Sequence, residues 1–565
     1  MQQTLDQSQG GTALKKSILV SLMLILISSI VLSACGSSND NTSSNTDKSS
    51  NAGASNETST EPVDLGFFAP QGKAPLEDNE YTKLIEQKFG VKIKWDLAPT
   101  DALVDRRQLL LASGDYPEVF LEGKFTTSDL TTYGKQGVLI PLNDLIDKYA
   151  PNIKAMMEKK PYMKEAMTAP DGNIYGLPRL NECYHCTFSQ KYWMNKDWLD
   201  KLGLKVPTTT DELYNVLKAF KTQDPNGNGK ADEIPLTGAP NKSVWNGNID
   251  SYIMNSFIYN DNDKYLTVTD GKVDFAANKP EWKEGLAYMH KLYSEGLIDK
   301  AAFTQNDQAV GQLGQREGDE IVGSITTALI SYLVKAYEDK DERQKHWVIV
   351  PPVKGPNGVQ LAGMSQGISE FPMAITNKAS EEQQIAAIKI ADYAYSEEGS
   401  LFSEYGQKEG IGWKKADAGE LNITGQPAKY SFSNLQPVDE NVVRNDSWSL
   451  LGPKDLSKEF RDLFATAQDP LTGAGYEKRL ADATAAYAPY APKETYPSGA
   501  YVKPEDTDTI AQLATSIKDY VNSNMAQFII GDKDVEKDWD GYVKGFDGLN
   551  LDQYIQIYQN AIAKK

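Results

Sequence analysis

Between residues 63 and 151 short apolar runs alternate with amphipathic stretches, and this alternation restricts the fold more than any other feature of the chain. Val63-Asp-Leu-Gly-Phe-Phe68 reads as a strand that ends in a Pro/Gly turn at residues 70–72. Residues 79–89 have helical spacing, Val91-Lys-Ile-Lys-Trp95 alternates as a strand, and 101–113 is helical again. A turn at Gly114 leads into a β-rich run to Leu121, and 142–149 reads as a helix stopped by Pro151. Strands separated by helices predict βαβ units around a parallel sheet, an α/β fold. Further along, Asp171–Pro178 reads as a hairpin, Lys191–Asn195 as a strand, and 196–202 and 210–223 as helices. Strand character returns at Glu320–Gly323, His346–Pro351 and Phe371–Ile375, with a helix at 380–396, and the rest is mainly helical. No internal repeat is present.

With 565 residues, 40% of them hydrophobic, the chain can bury a large core, and length alone suggests about three or four domains. The formal charge of −20 opposes nucleic acid as a partner, because phosphate binding is driven by basic patches. His185, His290 and His346 are too few and too scattered for a histidine-rich metal centre. Nine Trp and 29 Tyr are more informative, because carbohydrates pack against aromatic faces, although most such rings serve a core or its rim.

The amino terminus carries an address. Lys15 and Lys16 precede an apolar run from Ile18 to Leu32 that closes on Leu32-Ser33-Ala34-Cys35, a secretory signal too short for a stable transmembrane span. The last four residues resemble the lipobox of bacterial lipoproteins, which implies cleavage before Cys35 and lipidation of its thiol. From Gly36 to about Pro62 the sequence is Ser, Asn, Thr, Gly and Asp, a composition expected to act as a flexible tether. Residues 1–34 are thus expected to be removed and 35–62 to tie a globular protein to the outer face of a cell membrane.

A second marker lies in Asp224-Pro-Asn-Gly-Asn-Gly-Lys-Ala-Asp-Glu-Ile-Pro235. Asp224, Asn226, Asn228 and Asp232 occupy positions 1, 3, 5 and 9 of a twelve-residue loop, with Gly229 at the turning position 6 and the Lys230 carbonyl at position 7. Hard oxygens at this spacing suit Ca²⁺. Position 12 holds Pro235 where a bidentate glutamate is usual, and Glu233 is the nearest substitute; a polar Asn-Gly turn is the simpler alternative. In Asn181-Glu-Cys-Tyr-His-Cys186, Cys183 and Cys186 are an even pair in an oxidising compartment, expected as a disulfide or paired free thiols; zinc would need ligands that no second cluster provides.

Several segments together resemble the extracellular solute-binding lipoproteins of ABC carbohydrate importers, in particular the large LplA-like and alginate-oligosaccharide-binding proteins. They are Ala112–Phe120, Asp171–Pro178, Asn195–Leu204 running through Asp211–Tyr214 into the 224–235 loop, Tyr395–Ser400 and Glu409–Trp413. The resemblance implies a two-lobed periplasmic-binding-protein-like fold (type II) with a hinge. By analogy one lobe would hold 63–182 and 350–406, the other 183–349 and 407–565. It also implies a structural Ca²⁺ in the second lobe held by Asp224, Asn226, Asn228, Lys230, Asp232 and Glu233, with position 10 replacing position 12.

The function expected is capture of an oligosaccharide by a monomer that delivers it to permease subunits driven by a cytoplasmic ATPase. A secreted glycosidase or lyase and a sugar-binding sensor module are the alternatives; no nucleophile elbow, His-Glu-x-x-His or phosphate loop supports an enzyme. Ligands in such folds meet loops at the carboxyl ends of strands. This nominates Phe68, Gln71, Glu122 and Lys124 on one wall, and Trp245, Asn246, Ser324, Thr326, Gln366, Trp413 and Trp448 from the other lobe or the hinge.

Overall fold

A computed structural model describes residues 61–365, 368, 370–433, 445–449 and 451–563. The signal, Cys35, most of the tether and Gln366 lie outside the described residues.

The expected strand–helix alternation forms the first sheet. Val63–Pro70 lies between Val91–Ala98 and Val119–Phe125, parallel to both, and Phe371–Ile375 adds antiparallel at the edge beside Val119–Phe125. The crossover helix Glu80–Phe89 begins where the Asn79 side chain accepts the Tyr81 and Thr82 amides (3.0 and 3.1 Å). It stops at Gly90, whose φ of 63° closes the helix in the left-handed region. A parallel sheet needs apolar cover on both faces. Leu65, Phe67, Val119, Leu121, Ala374 and Ile388 accordingly belong to one buried cluster that runs from Leu65 to Leu180 and resumes from Ile368 to Tyr395.

The second core is built on a three-stranded antiparallel sheet, Ser324–Thr326, Tyr192–Asn195 and Trp347–Val350. Isolated parallel bridges from Thr237 to Ile325 and from Leu236 to Ile298 widen it. Apolar faces of the helices Thr210–Thr222, Pro280–Ser294, Thr507–Ile530 and Leu551–Ile562 cover it through Phe220, Trp282, Phe528 and Tyr554. A short parallel ribbon pairs Arg179–Asn181 with Lys454–Leu456, with Leu180 buried in the first core. A smaller cluster beside it joins Leu401, Trp413, Tyr430, Leu456, Phe460 and Phe464.

Core membership runs differently from the expected ranges. Val350, Val353 and Ala362 pack in the second core, Trp448 and Leu451 in the first, and residues from Leu401 to Phe464 contribute the small cluster at the ribbon. Two local expectations also change. Pro151 does not merely stop a helix; it opens the helix Pro151–Lys159, where the missing N–H is not needed. The strand expected at 320–323 is formed by Ser324–Thr326, because Gly323 lies under the Phe220 and Trp198 rings, where a Cβ would meet carbons at 2.5 and 2.9 Å.

Trp448 joins distant parts of the first core. Its ring meets Tyr81, Trp95 and Phe67 edge-on at centroid distances of 5.1, 5.9 and 6.4 Å, and its indole N–H donates to the Thr82 hydroxyl at 3.0 Å. Truncation to alanine leaves a cavity that three rigid rings cannot fill. Trp448→Ala is expected to lower the unfolding free energy by roughly 3–5 kcal/mol, read from denaturant unfolding.

Candidate functional site

In the first sheet, the strand Val119–Phe125 turns irregular toward its end, with Glu122 at φ 62° and Lys124 at φ 50°. Non-glycine residues in that region carry strain that the surroundings must impose. The buried Arg107 imposes it by donating to the carbonyls of Gly123 and Lys124 at 2.7 Å each and pairing with Asp129 at 3.2 Å. The turn delivers the Glu122 carboxylate to the Arg179 guanidinium and to the Gly452 amide (2.9 Å), so Glu122 clasps both strands of the ribbon. Burial pushes the Glu122 carboxyl up, against the opposing charge of Arg179.

On the far side the chain passes at once into Cys183–Cys186, which are joined as a disulfide. Lys191 is fully buried, and its ammonium donates to the carbonyls of His185 (2.9 Å) and Phe188, pinning this loop to the start of Tyr192–Asn195. Burial brings Lys191 down to about 7, with Glu477 opposing the shift. The Thr327 amide donates to the Lys191 carbonyl at 3.0 Å, so the carboxyl end of Ser324–Thr326 lies on the same side. There the His185 Nδ1 meets Glu477 Oε1 at 2.9 Å, and its ring faces the half-buried Trp245 ring edge-on at 6.1 Å. Cys183, His185 and Cys186 bring ligand-type atoms within 4.8 Å of one another, but the two sulfurs are bonded to each other and supply no thiolate.

Trp245 stands at the head of a buried amide network. Asn246, held at φ 50°, donates to the Ser189 hydroxyl (2.8 Å) and accepts from Asn262 (2.9 Å). Asn248 donates to Asn262 (2.7 Å) and Asp250 (2.9 Å), Asn260 to Asp250 (3.3 Å), and Asn255 to Gln190 (2.8 Å). Such a network specifies one backbone path because any alternative leaves buried donors unpaired.

The nominated residues divide sharply. Gln71 and Lys124 are exposed at strand ends, and Trp245 is half-buried and open to a partner. Glu122 is spent on the clasp and Asn246 on the amide network. Phe68 is 0% exposed and edge-on to Phe120, because it lies inside the strand rather than after it. Ser324 and Thr326 are buried and donate to the Pro235 and Gly247 carbonyls. Trp413 donates to the Gly406 carbonyl in the small ribbon cluster, and Trp448 fills the first core. These five are packing residues: a strand interior and a core indole leave no face for a ligand. Sequence reasoning missed His185 with Glu477, Lys191 and Arg179. The Asn-rich spacing from Asn246 to Asn262 was the one local signal of the network.

In the 224–235 loop, Asp224 accepts the amides of Gly227 (2.9 Å), Asn228 (3.1 Å) and Gly229 (3.0 Å). Asn226 and Asn228 both donate to Asp232 (3.1 and 3.3 Å). Glu233 is 2% exposed, and its Oε1 has no hydrogen-bond partner. Burial, then the charges of Asp232 and Asp224, push its carboxyl up. The nearby Lys201 and Lys221 donate to the carbonyls of Pro225 (2.7 Å) and Glu233 (3.1 Å), not to the carboxylates. A buried acid oxygen among like charges suits an added cation.

Residues 74–400 match the family model of the bacterial extracellular solute-binding protein. The chain belongs to that family. It is 31% identical over 557 residues to the fructooligosaccharide ABC transporter substrate-binding protein FusA of Streptococcus pneumoniae serotype 4 (strain ATCC BAA-334 / TIGR4), covering 96% of this chain and 97% of FusA. Lipoprotein LipO of Bacillus subtilis (strain 168) is 26% identical over 84% of this chain and 86% of its own length. FusA solved with kestose superposes with a TM-score of 0.67 at 28% identity, over 88% of this chain and 98% of FusA. An EF-hand mutant of FusA with fructo-nystose gives 0.66 at 28% identity over the same shares. The chain thus has the two-lobed, periplasmic-binding-protein-like α/β fold of a solute-binding protein.

The amide network carries a pH signature. Burial pushes Asp250 up to about 6, with donation from Asn248 and Asn260 opposing. A carboxyl whose folded pKa exceeds its unfolded value near 4 holds its proton more tightly when folded. Its charged form therefore costs stability above about pH 6, and that cost is relieved as pH falls through 6 toward 4. The unfolding free energy of the wild type is expected to rise relative to Asp250→Asn by about 1–3 kcal/mol between about pH 7 and pH 4.5, read from denaturant titrations.

Proposed function

We propose that this solute-binding protein captures an oligosaccharide between its two lobes and presents it to the permease subunits of an ABC importer. The observation that carries the reading is the near-full-length identity to FusA, whose name specifies fructooligosaccharide and ABC transport. The site chemistry agrees with it. Trp245 offers an aromatic face for the C–H surface of a sugar, while exposed Gln71 and Lys124 at first-lobe strand ends offer polar groups for hydroxyls. The first lobe takes residues 63–182 with the segment after Ile368, the second takes 188–362 with the carboxyl-terminal helices, and the ribbon flexes between them. Ligand shifts the open–closed equilibrium of the lobes, and the closed form docks on the permease. Release needs no covalent step, so the protein acts as a monomeric binder and not as an enzyme.

Cys35 anchors the protein by lipid to the outer face of the membrane, in keeping with the name of LipO. The 224–235 loop holds Ca²⁺ through Asp224, Asn226, Asn228, Asp232, Glu233 and the Lys230 carbonyl. The unpartnered Glu233 Oε1 and the EF-hand of FusA support this ion, whose part is to stiffen the second lobe.

Titration calorimetry with fructo-, galacturono- and malto-oligosaccharides tests the central claim. Binding without product formation is expected, and turnover without any partner would sink it. Trp245→Ala is expected to weaken binding at least about tenfold with the melting temperature unchanged. Chelation should lower the melting temperature in the wild type, and Asp224→Ala should reproduce that loss and abolish the response to added Ca²⁺.

A further inference from the structure

We propose that the second lobe carries an additional sugar subsite beside Tyr337, which takes one further ring of the same oligosaccharide beyond the units held at Trp245; this rests on the oligosaccharide reading above. A cavity of about 290 Å³ opens here, bordered by Leu329, Ser331, Tyr332, Lys335, Tyr337 and Glu338. That volume is at the lower end of ligand pockets, roughly 300–1,000 Å³, and suits one ring rather than a chain. Tyr337 is 67% exposed, yet its ring is not loose. The Tyr476 ring stands 4.6 Å away at 72°, and the Tyr476 hydroxyl is itself fixed by the Ser331 amide at 3.0 Å. A rigid, solvent-facing aromatic face beside a small cavity is the chemistry that receives the C–H face of a pyranose or furanose.

The polar lining fits the same ligand. Lys335 and Glu338 approach to 3.5 Å and cancel in charge, so the cavity offers donors and acceptors for hydroxyls without selecting an anion. Its position links it to the main site. The lining residue Leu329 lies two residues after Thr327, whose amide is fixed to Lys191, and the Ala328 amide donates to the Trp245 carbonyl at 2.9 Å. From the other side, Tyr476 under Tyr337 is followed by Glu477, which holds His185 against Trp245. Trp245 and Tyr337 are therefore linked through His185, Glu477 and Tyr476, and a ligand that reaches both must be longer than one that fills the cleft alone.

Calorimetry on the purified protein with graded fructo- and galacturono-oligosaccharides, from trisaccharide upward, tests this with Tyr337→Ala and Tyr337→Phe. The wild type is expected to bind more tightly as chains lengthen beyond the trisaccharide. Tyr337→Ala should weaken the longer chains by about fivefold to tenfold while leaving the trisaccharide unchanged, and Tyr337→Phe should keep the wild-type profile because it keeps the ring. An unaltered length profile in Tyr337→Ala, or an equal loss at every length, would overturn the subsite. A wild type that binds but gains nothing with length would overturn it too, leaving the capture reading standing. Failure of the wild type to bind any member would remove that reading and the subsite with it.

Discussion

The ribbon of Arg179–Asn181 and Lys454–Leu456 depends on how a few charges are held. Lys454 is 0% exposed, yet its ammonium is satisfied by Glu404 at 3.0 Å and by the carbonyls of Trp448 (2.8 Å) and Ser449 (3.1 Å). Burial brings it down to about 8, with Glu404 resisting. Directly across the register from Lys454, Arg179 takes the Glu122 carboxylate, which also accepts the Gly452 amide. A buried pair is costly to break because the partner left behind has no water to turn to. The ribbon's two strands are therefore held against slipping past each other. Beyond it, Lys160 bridges Glu182 and Glu459 at 2.8 and 2.9 Å, and Arg461 holds Asn181 at 2.7 Å. These groups tie together the segments that follow the two ribbon strands.

The same logic of partnered buried polar groups fixes the surroundings of His185 and Trp245. Lys191 fixes the disulfide loop by taking two of its carbonyls, and that loop presents His185. The Asn246–Asn262 network fixes the backbone that presents Trp245. Each removes conformational freedom from the ring it presents.

Most secondary structure was legible because it depends on neighbours in the chain. Asn79 and Gly90 bracket a helix through local amides and a local φ, and Ser380 with Gln383 forms a capping box within four residues. Pro151 was read only in part, because a proline both ends one helix and begins the next. The burial of the nominated aromatic rings was not legible for a different reason. Phe68, Trp413 and Trp448 have the composition of a sugar platform, but whether an aromatic ring faces solvent or core depends on which segment lies over it. For Trp448 those segments are Phe67, Tyr81 and Trp95, more than 300 residues upstream.

By itself the sequence determined what short-range chemistry decides: the strand–helix alternation of an α/β lobe and a turn of oxygen-bearing side chains around Gly229. It carried enough of the family pattern to foresee two lobes. Only the tertiary structure decided that Glu122 pairs with Arg179 and the Gly452 amide, that Lys191 is buried beneath the disulfide loop, and that His185 meets Glu477 across 292 positions of chain. Such partnerships follow from the distances at which packed elements come to rest and from the cost of leaving a buried charge unpaired, and no local pattern records either.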